Sequence, residues 1–155
     1  VSGYNCYLDE PARDPRPRRP VPSNAASRPL RVVVCGSRNW TDRETIRAWL
    51  ARLPLGSEVA HGGAPGADTI AGEEAGARGL SVHVFQADWS KHGNAAGPIR
   101  NRWMLDTFKP ALVLAFTDSL LSATKPGRLS GTGDCVAAAN ERRIRATVIP
   151  SGSLP

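Results

Sequence analysis

The chain has 155 residues, 41% of them hydrophobic, which is enough for one domain with a substantial core and too few for two ordinary ones. Twenty Lys and Arg against 14 Asp and Glu give a net charge of +6, spread among interleaved acids rather than clustered as on a nucleic-acid-binding face. No run approaches the roughly 18–20 apolar residues of a membrane span, and three widely separated cysteines (Cys6, Cys35, Cys135) suit reduced thiols better than a disulfide framework or a zinc site. The expected setting is the cytoplasm, with no membrane partner.

Residues 1–29 hold six prolines and one glycine. Such a segment buries too little apolar area to offset its ordering entropy, so a disordered or extended arm is expected there, with Tyr4, Tyr7 and Leu8 as its anchors on the domain or on a neighbouring subunit. Leu30–Gly36 is a β-branched run ending in glycine, the pattern of a strand buried on both faces, with Cys35 a small core residue. Thr41 with Glu44 three residues later predicts a capping box. Ile46, Trp49, Leu50 and Leu53 then give one apolar helical face, closed by Pro54.

Glu58–His61 reads as a short second strand running into His61-Gly62-Gly63-Ala64-Pro65-Gly66-Ala67-Asp68, a glycine turn that opens a helix over 67–78. Residues without a Cβ let a ligand approach the backbone closely, and the unpaired amides of a helix start favour phosphate or carboxylate. A purely structural strand-to-helix turn has the same pattern. Gly72 and Gly76 cost the helix about 1 kcal/mol each and imply close packing. Leu80–Phe85 is a third strand, within which His83 is expected as a packed or surface residue.

Gln86–Ala96 is a long polar loop containing Asp88, Trp89, Lys91 and His92. Pro98 suits the first position of the next helix, whose Asn101, Met104, Leu105 and Phe108 share a face. Arg100 opposes the dipole there by about 0.3–1 kcal/mol unless an anion or an acid such as Asp106 compensates. Trp49 and Trp103, being helical, are expected in the core. Pro110–Phe116 is a fourth strand, followed by an irregular loop over 117–130 carrying Lys125 and Arg128. Thr132 is the predicted N-cap of a helix over 131–143, Arg145–Ile149 is a fifth strand, and 150–155 is a tail.

Strands alternating with helices require parallel pairing and right-handed crossovers, hence an α/β fold with a three-layer α/β/α sandwich and a mainly parallel five-stranded sheet. In such sheets ligands bind beyond the carboxyl ends of the strands. The turns Gly36-Ser37-Arg38, His61-Gly62-Gly63, Ala87-Asp88-Trp89 and Phe116-Thr117-Asp118 all fall on that edge, as do the helix starts near Gly66, Gly97 and Gly131. A P-loop and a GxGxxG fingerprint are both missing. Ser37, His61 and Asp68 lack a nucleophile elbow, and His61, Asp68, Asp88 and His92 lack metal-ligand spacing, so neither a metal nor a cofactor is expected.

Val34 to Arg38 followed by Trp40 and Asp42, then His61 to Asp68, Ala87-Asp88-Trp89, Ala96 to Asn101 and Gly131-Thr132 stand in one order. In this the chain resembles, from about Leu30 to Ile149, the YspA-type branch of the SLOG superfamily, whose Rossmann-like members include the DNA-processing protein Smf and the LONELY GUY phosphoribohydrolases. The resemblance implies a Rossmann-like domain over residues 30–150, a nucleotide, nucleotide derivative or nucleic acid in the crevice, and a homo-oligomer. By position, Gly36, Ser37 and Arg38 flank the ligand, Gly62, Gly63, Ala64 and Gly66 hold its phosphate or ribose, and Asp68 approaches a sugar hydroxyl. Asp88, Trp89 and Gly97 belong to the matching motifs on the same rim. Arg100 and Asn101 stand where the phosphoribohydrolases carry a catalytic Arg and a Lys, and Gly131 and Thr132 match the phosphate-binding turn.

The chain departs from the hydrolases at Cys135, where they carry Glu, and lacks their full Pro-Gly-Gly-x-Gly-Thr turn. Protonating a leaving base would then fall to Asp68, Asp88 or Asp134, with Asp68 and Arg100 the candidate catalytic pair. Three functions follow as expectations. They are a nucleotide-derivative binder acting as a sensor or processing protein, an N-glycosidic or phosphoribosyl hydrolase, and a single-stranded nucleic-acid module with Trp40 or Trp89 stacking on bases.

Overall fold

The computed structural model describes residues 28–155, so the proposed arm with Tyr4, Tyr7 and Leu8 lies outside the described residues. Five strands, β1 (Arg31–Gly36), β2 (Glu58–His61), β3 (Ser81–Val84), β4 (Leu112–Phe116) and β5 (Arg145–Ile149), form one all-parallel sheet in the order β3-β2-β1-β4-β5. Five α-helices connect them: α1 (Arg43–Leu50), α2 (Ala67–Ala77), α3 (Trp89–His92), α4 (Ala96–Phe108) and α5 (Gly131–Glu141). The chain winds outward from β1 in one direction and then, from β4, in the other. This places the topological switch point between β1 and β4.

Alternation along β1 decides which helices lie on which face. Val32 and Val34 pack with Ile46 and Leu50 of α1 and with Ala67, Ala71 and Ala75 of α2. Val33 and Cys35 point the other way, towards Met104, Leu105 and Phe108 of α4 and Cys135, Ala138 and Ala139 of α5. Full burial of side chains such as Ile46 and Leu50 contributes about 1.5–3 kcal/mol each. The Rossmann-like three-layer sandwich is therefore present, with the small residues of α2 and α5 allowing their helices to sit close on the strands.

Several local expectations shift. Asp42, not Thr41, caps α1: its carboxylate accepts from the Thr45 amide at 3.1 Å and the Thr45 hydroxyl at 2.6 Å, a stronger acceptor one residue further on. Ser130, not Thr132, caps α5 through the Gly133 amide at 3.0 Å, which puts Thr132 inside the first turn. α4 begins at Ala96, so Pro98 is its third residue, where its missing N–H is still one the helix would leave unpaired. The loop after β3 is partly ordered as α3 and a 3₁₀ turn over Gly93–Ala95.

Gly72 does pack closely, since a Cβ would meet His61, whereas Gly76 faces open space. Trp103 is not a core residue. It is half exposed on α4 and meets Phe85 edge-on at 4.9 Å between ring centroids. Residues 150–155 are tied to the body: the Trp49 indole donates to the Ser153 carbonyl at 2.7 Å, and Asp118 accepts from the Ser151 amide at 2.8 Å.

Candidate functional site

A cavity of about 1170 Å³ opens beyond the carboxyl ends of β1, β2 and β4, above the roughly 300–1,000 Å³ usual for small-molecule sites. Gly36, Ser37 and Arg38 enter it from the end of β1, and Gly62, Ala64 and Asp68 from the turn after β2. Trp89 of α3 and Gly97, Arg100 and Asn101 of α4 form a second wall, and Gly131 and Thr132 of α5 a third. Gly63, Gly66 and Asp88 do not line it. Gly66 borders a separate depression of about 430 Å³ with Trp40 and Arg43, and Asp88 caps α3 by accepting from the Lys91 amide at 3.0 Å and the Ser90 hydroxyl at 2.7 Å.

The rim is stitched together by backbone. The Ser37 amide donates to the Phe116 carbonyl at 3.0 Å, and the Ser37 carbonyl accepts from the Ala67 amide at 3.1 Å, joining the ends of β1 and β4 to the start of α2. Gly66 makes that approach feasible: its φ is +78°, and any Cβ would run into the Ser37 and Arg38 backbone.

Three amides of the glycine turn are engaged internally. Asp68, 4% exposed, accepts from the Gly62 amide at 2.9 Å and the Ala64 amide at 3.4 Å through Oδ2, and the Gly63 amide donates to His61 Nδ1 at 3.0 Å. Burial outweighs these hydrogen bonds and the nearby Arg100 and pushes the Asp68 carboxyl up to about 6. Burial, with the charge of Arg100, lowers His61, which stays neutral. Among the described residues His61 Nδ1 hydrogen-bonds only with the Gly63 amide and its Nε2 edge lies against Gly72, so Ser37, His61 and Asp68 do not form a catalytic relay.

Arg100 reaches across from α4 instead of pairing with Asp106, which is held by Arg142 at 2.6 Å. Its guanidinium donates to the Gly62 carbonyl at 2.6 Å, the Phe85 carbonyl at 3.2 Å and Asn101 Oδ1 at 3.1 Å. No carboxylate among the described residues pairs with it in a salt bridge, so a cation is fixed in the wall of the cavity with its charge uncompensated by direct contact. Asn101 donates in turn to the Gly131 carbonyl at 3.2 Å and to Asp134 at 3.0 Å, and Asp134 is paired with Arg102 at 3.2 Å. The Gly131 and Thr132 amides at the start of α5 meet no acceptor among the described residues.

The cavity floor is a thiol. Cys35 shares a core cluster with Cys135, and its interaction with that thiol together with burial raises the Cys35 thiol well above its usual range, so it stays protonated. Trp40, a base-stacking candidate from sequence, is a core residue: it packs on Phe116 at 5.8 Å and its indole donates to the Asp42 carbonyl. Trp89 is half exposed beneath the Arg38 guanidinium, 5.7 Å from ring centroid to Cζ. The segment over 121–130, drawn together by a bridge between Leu121 and Leu129, brings Lys125 and Arg128 to the mouth. Two cations in a long loop after a buried strand were the signal for this wall, but nothing in the sequence folds that loop back over the crevice.

Comparison with known proteins agrees with this architecture. The profile of the YspA, cpYpsA-related SLOG family matches residues 30–92. The Gene 61 protein of Mycobacterium phage D29 is 41% identical over 134 residues, covering 81% of this chain and 98% of that protein. Among solved structures, DNA processing protein A (DprA) of Streptococcus pneumoniae superposes with a TM-score of 0.56 at 16% identity, over 80% of this chain and 51% of that one, a likeness of fold alone. Taken with the fold and the cavity at its switch point, these matches establish that the chain belongs to the YspA, cpYpsA-related SLOG family.

Proposed function

We propose that the protein binds a nucleotide or nucleotide derivative in the cavity at the carboxyl edge of the sheet and acts as a sensor or nucleotide-processing protein, in the cytoplasm and as a homo-oligomer. The observation that carries this reading is the meeting, around one cavity, of an Arg100 guanidinium with no salt-bridge partner among the described residues and of Gly131 and Thr132 amides with no acceptor among them. Because Asp68 and His61 engage the glycine-turn amides, the phosphate belongs at the α5 start. There the helix dipole and two N–H groups favour negative charge. Arg38, Lys125 and Arg128 add long-range attraction for an anion.

Thermal melts with nucleoside monophosphates, NAD and ADP-ribose, run beside an assay for released base, test it. A ligand at about 100 times its Kd stabilises the fold by about 2.7 kcal/mol, a rise of several degrees in melting temperature. No shift with any phosphorylated nucleoside, against a shift with oligonucleotides that fades steeply with salt, would replace this reading by nucleic-acid binding.

Asp68 favours a second reading, N-glycosidic hydrolysis. A carboxyl titrating near 6 in the cavity is partly protonated near neutral pH, fit to give its proton to a leaving base nitrogen as the bond to C1′ breaks, and to take one back from the water that adds at C1′. Arg100 would hold the phosphate. Free base appearing with wild type and not with Asp68→Asn supports this reading; stabilisation without turnover supports the sensor.

A further inference from the structure

We infer that Trp89 is the base-recognition platform of the cavity, and that Arg38 closes on the far face of the bound ring. This rests on the nucleotide reading above and deepens it, since it assigns the ligand a direction: nucleobase towards α3, phosphate towards the start of α5.

The observations are independent of the phosphate site. Trp89 is 49% exposed and lines the cavity from a four-residue helix held by the Asp88 cap, so the position of its ring is set by that cap and by the flat surface of Gly97 beneath its edge. An indole that large, left half in water beside a cavity of about 1170 Å³, keeps apolar surface free to be covered. Its exposed face already attracts a cation, Arg38, and no carboxylate among the described residues holds that guanidinium elsewhere. Arg38 is exposed and swings at little cost, and a planar guanidinium stacks on a nucleobase as readily as on an indole. Gly131 and Thr132 lie on a different wall, so a ligand touching both ends spans the cavity. Stacking accepts any base and favours larger rings.

Isothermal titration of the four nucleoside monophosphates and of ribose 5-phosphate tests the assignment in wild type, Trp89→Ala and Trp89→Phe. In wild type the best nucleotide is expected to bind about tenfold more tightly than ribose 5-phosphate, the size of a single base–aromatic stack. Trp89→Ala should bring the two within about twofold by weakening the nucleotide alone, and Trp89→Phe should keep most of the difference. Purines should outbind pyrimidines. Equal binding of nucleotide and ribose 5-phosphate in wild type overturns the platform while leaving the phosphate site standing. So does a Trp89→Ala variant that weakens both equally, or a Trp89→Phe variant that behaves like it, because those results mark a structural role. If none of the five probes binds wild type and NAD and ADP-ribose give no thermal shift either, the nucleotide reading falls and this assignment with it.

Discussion

The Arg100 guanidinium donates to the Gly62 carbonyl at 2.6 Å, and it lies where a side chain on residue 62 would begin. Gly62 is therefore glycine for close approach and not for its φ, which is not positive. Two segments 38 residues apart in sequence share one volume, and the cation in the cavity wall depends on the absence of a methyl group. Gly62→Ala must push the guanidinium end of the flexible Arg100 side chain aside, so stability should fall only by the worth of its hydrogen bonds, about 0.5–1.5 kcal/mol, while any nucleotide-induced shift is lost. Gly76→Ala is the control: its surroundings are open, so it should be neutral or gain up to about 1 kcal/mol of helix propensity. Melts that rank the two variants the other way contradict this packing.

Asp68 gives a pH signature whose sign is fixed by its direction of shift. Its carboxyl is raised from about 3.8 to about 6 by burial, so the folded state holds the proton more tightly than the unfolded state does. The stability this contributes is full below pH 4 and is lost as pH rises through about 6. Asp68→Asn keeps an oxygen to accept from Gly62 and Ala64 and carries no charge. It should gain on wild type by roughly 1–3 kcal/mol at pH 8, with the gap closing towards pH 4. Urea unfolding of both proteins across pH 4–8 checks it; a gap that widens as pH falls would reverse the assignment.

Much of the fold is legible in the sequence because the signals are local. The β-branched run of β1, the period-3.6 face of α4 and the glycine turn each follow from residue type and spacing. What resisted reading depends on partners distant in the chain. Arg100 looked like a dipole mismatch awaiting an anion or Asp106, and its Gly62 and Phe85 acceptors are backbone atoms that no sequence pattern marks. The turn's amides looked free for phosphate until α2 folded Asp68 back beneath them. Trp103 and Trp89 are both half exposed, the one on α4 against Phe85 and the other on α3 beside Gly97 and Arg38, neighbours that helical spacing does not mark.

Asp42 is predicted to matter more than its single helix cap suggests. Besides Thr45 it accepts from the Gly152 amide at 2.7 Å, so it joins the start of α1 to the residues after β5. The Thr45 and Gly152 hydrogen bonds hold its carboxyl below the usual range. Its stabilising effect is present above about pH 4 and disappears as pH falls through its folded value. Asp42→Ala should cost about 1–2 kcal/mol at pH 7 and Thr41→Ala almost nothing. Chemical denaturation at pH 7 and pH 3 separates them, the Asp42→Ala penalty shrinking at the lower pH.

Ser130 and Thr132 divide what one residue was expected to do at the start of α5. Ser130 Oγ accepts from the Gly133 amide at 3.0 Å and donates to the Leu120 carbonyl at 3.1 Å, so it fixes both the helix end and the loop that carries Lys125 and Arg128. Thr132 is buried in the first turn, where its amide and that of Gly131 meet no acceptor among the described residues. Ser130→Ala should therefore cost about 1 kcal/mol of stability and weaken phosphate binding by loosening the turn, whereas Ser130→Asp restores the cap but sets a negative charge against the anion. Thr132→Ala leaves the cap intact and should lower affinity with little change in melting temperature. Melts without ligand, followed by titration of the tightest-binding nucleotide into all three variants, decide it. A Thr132→Ala protein that loses stability and keeps affinity would make Thr132 a packing residue and move the phosphate away from the start of α5.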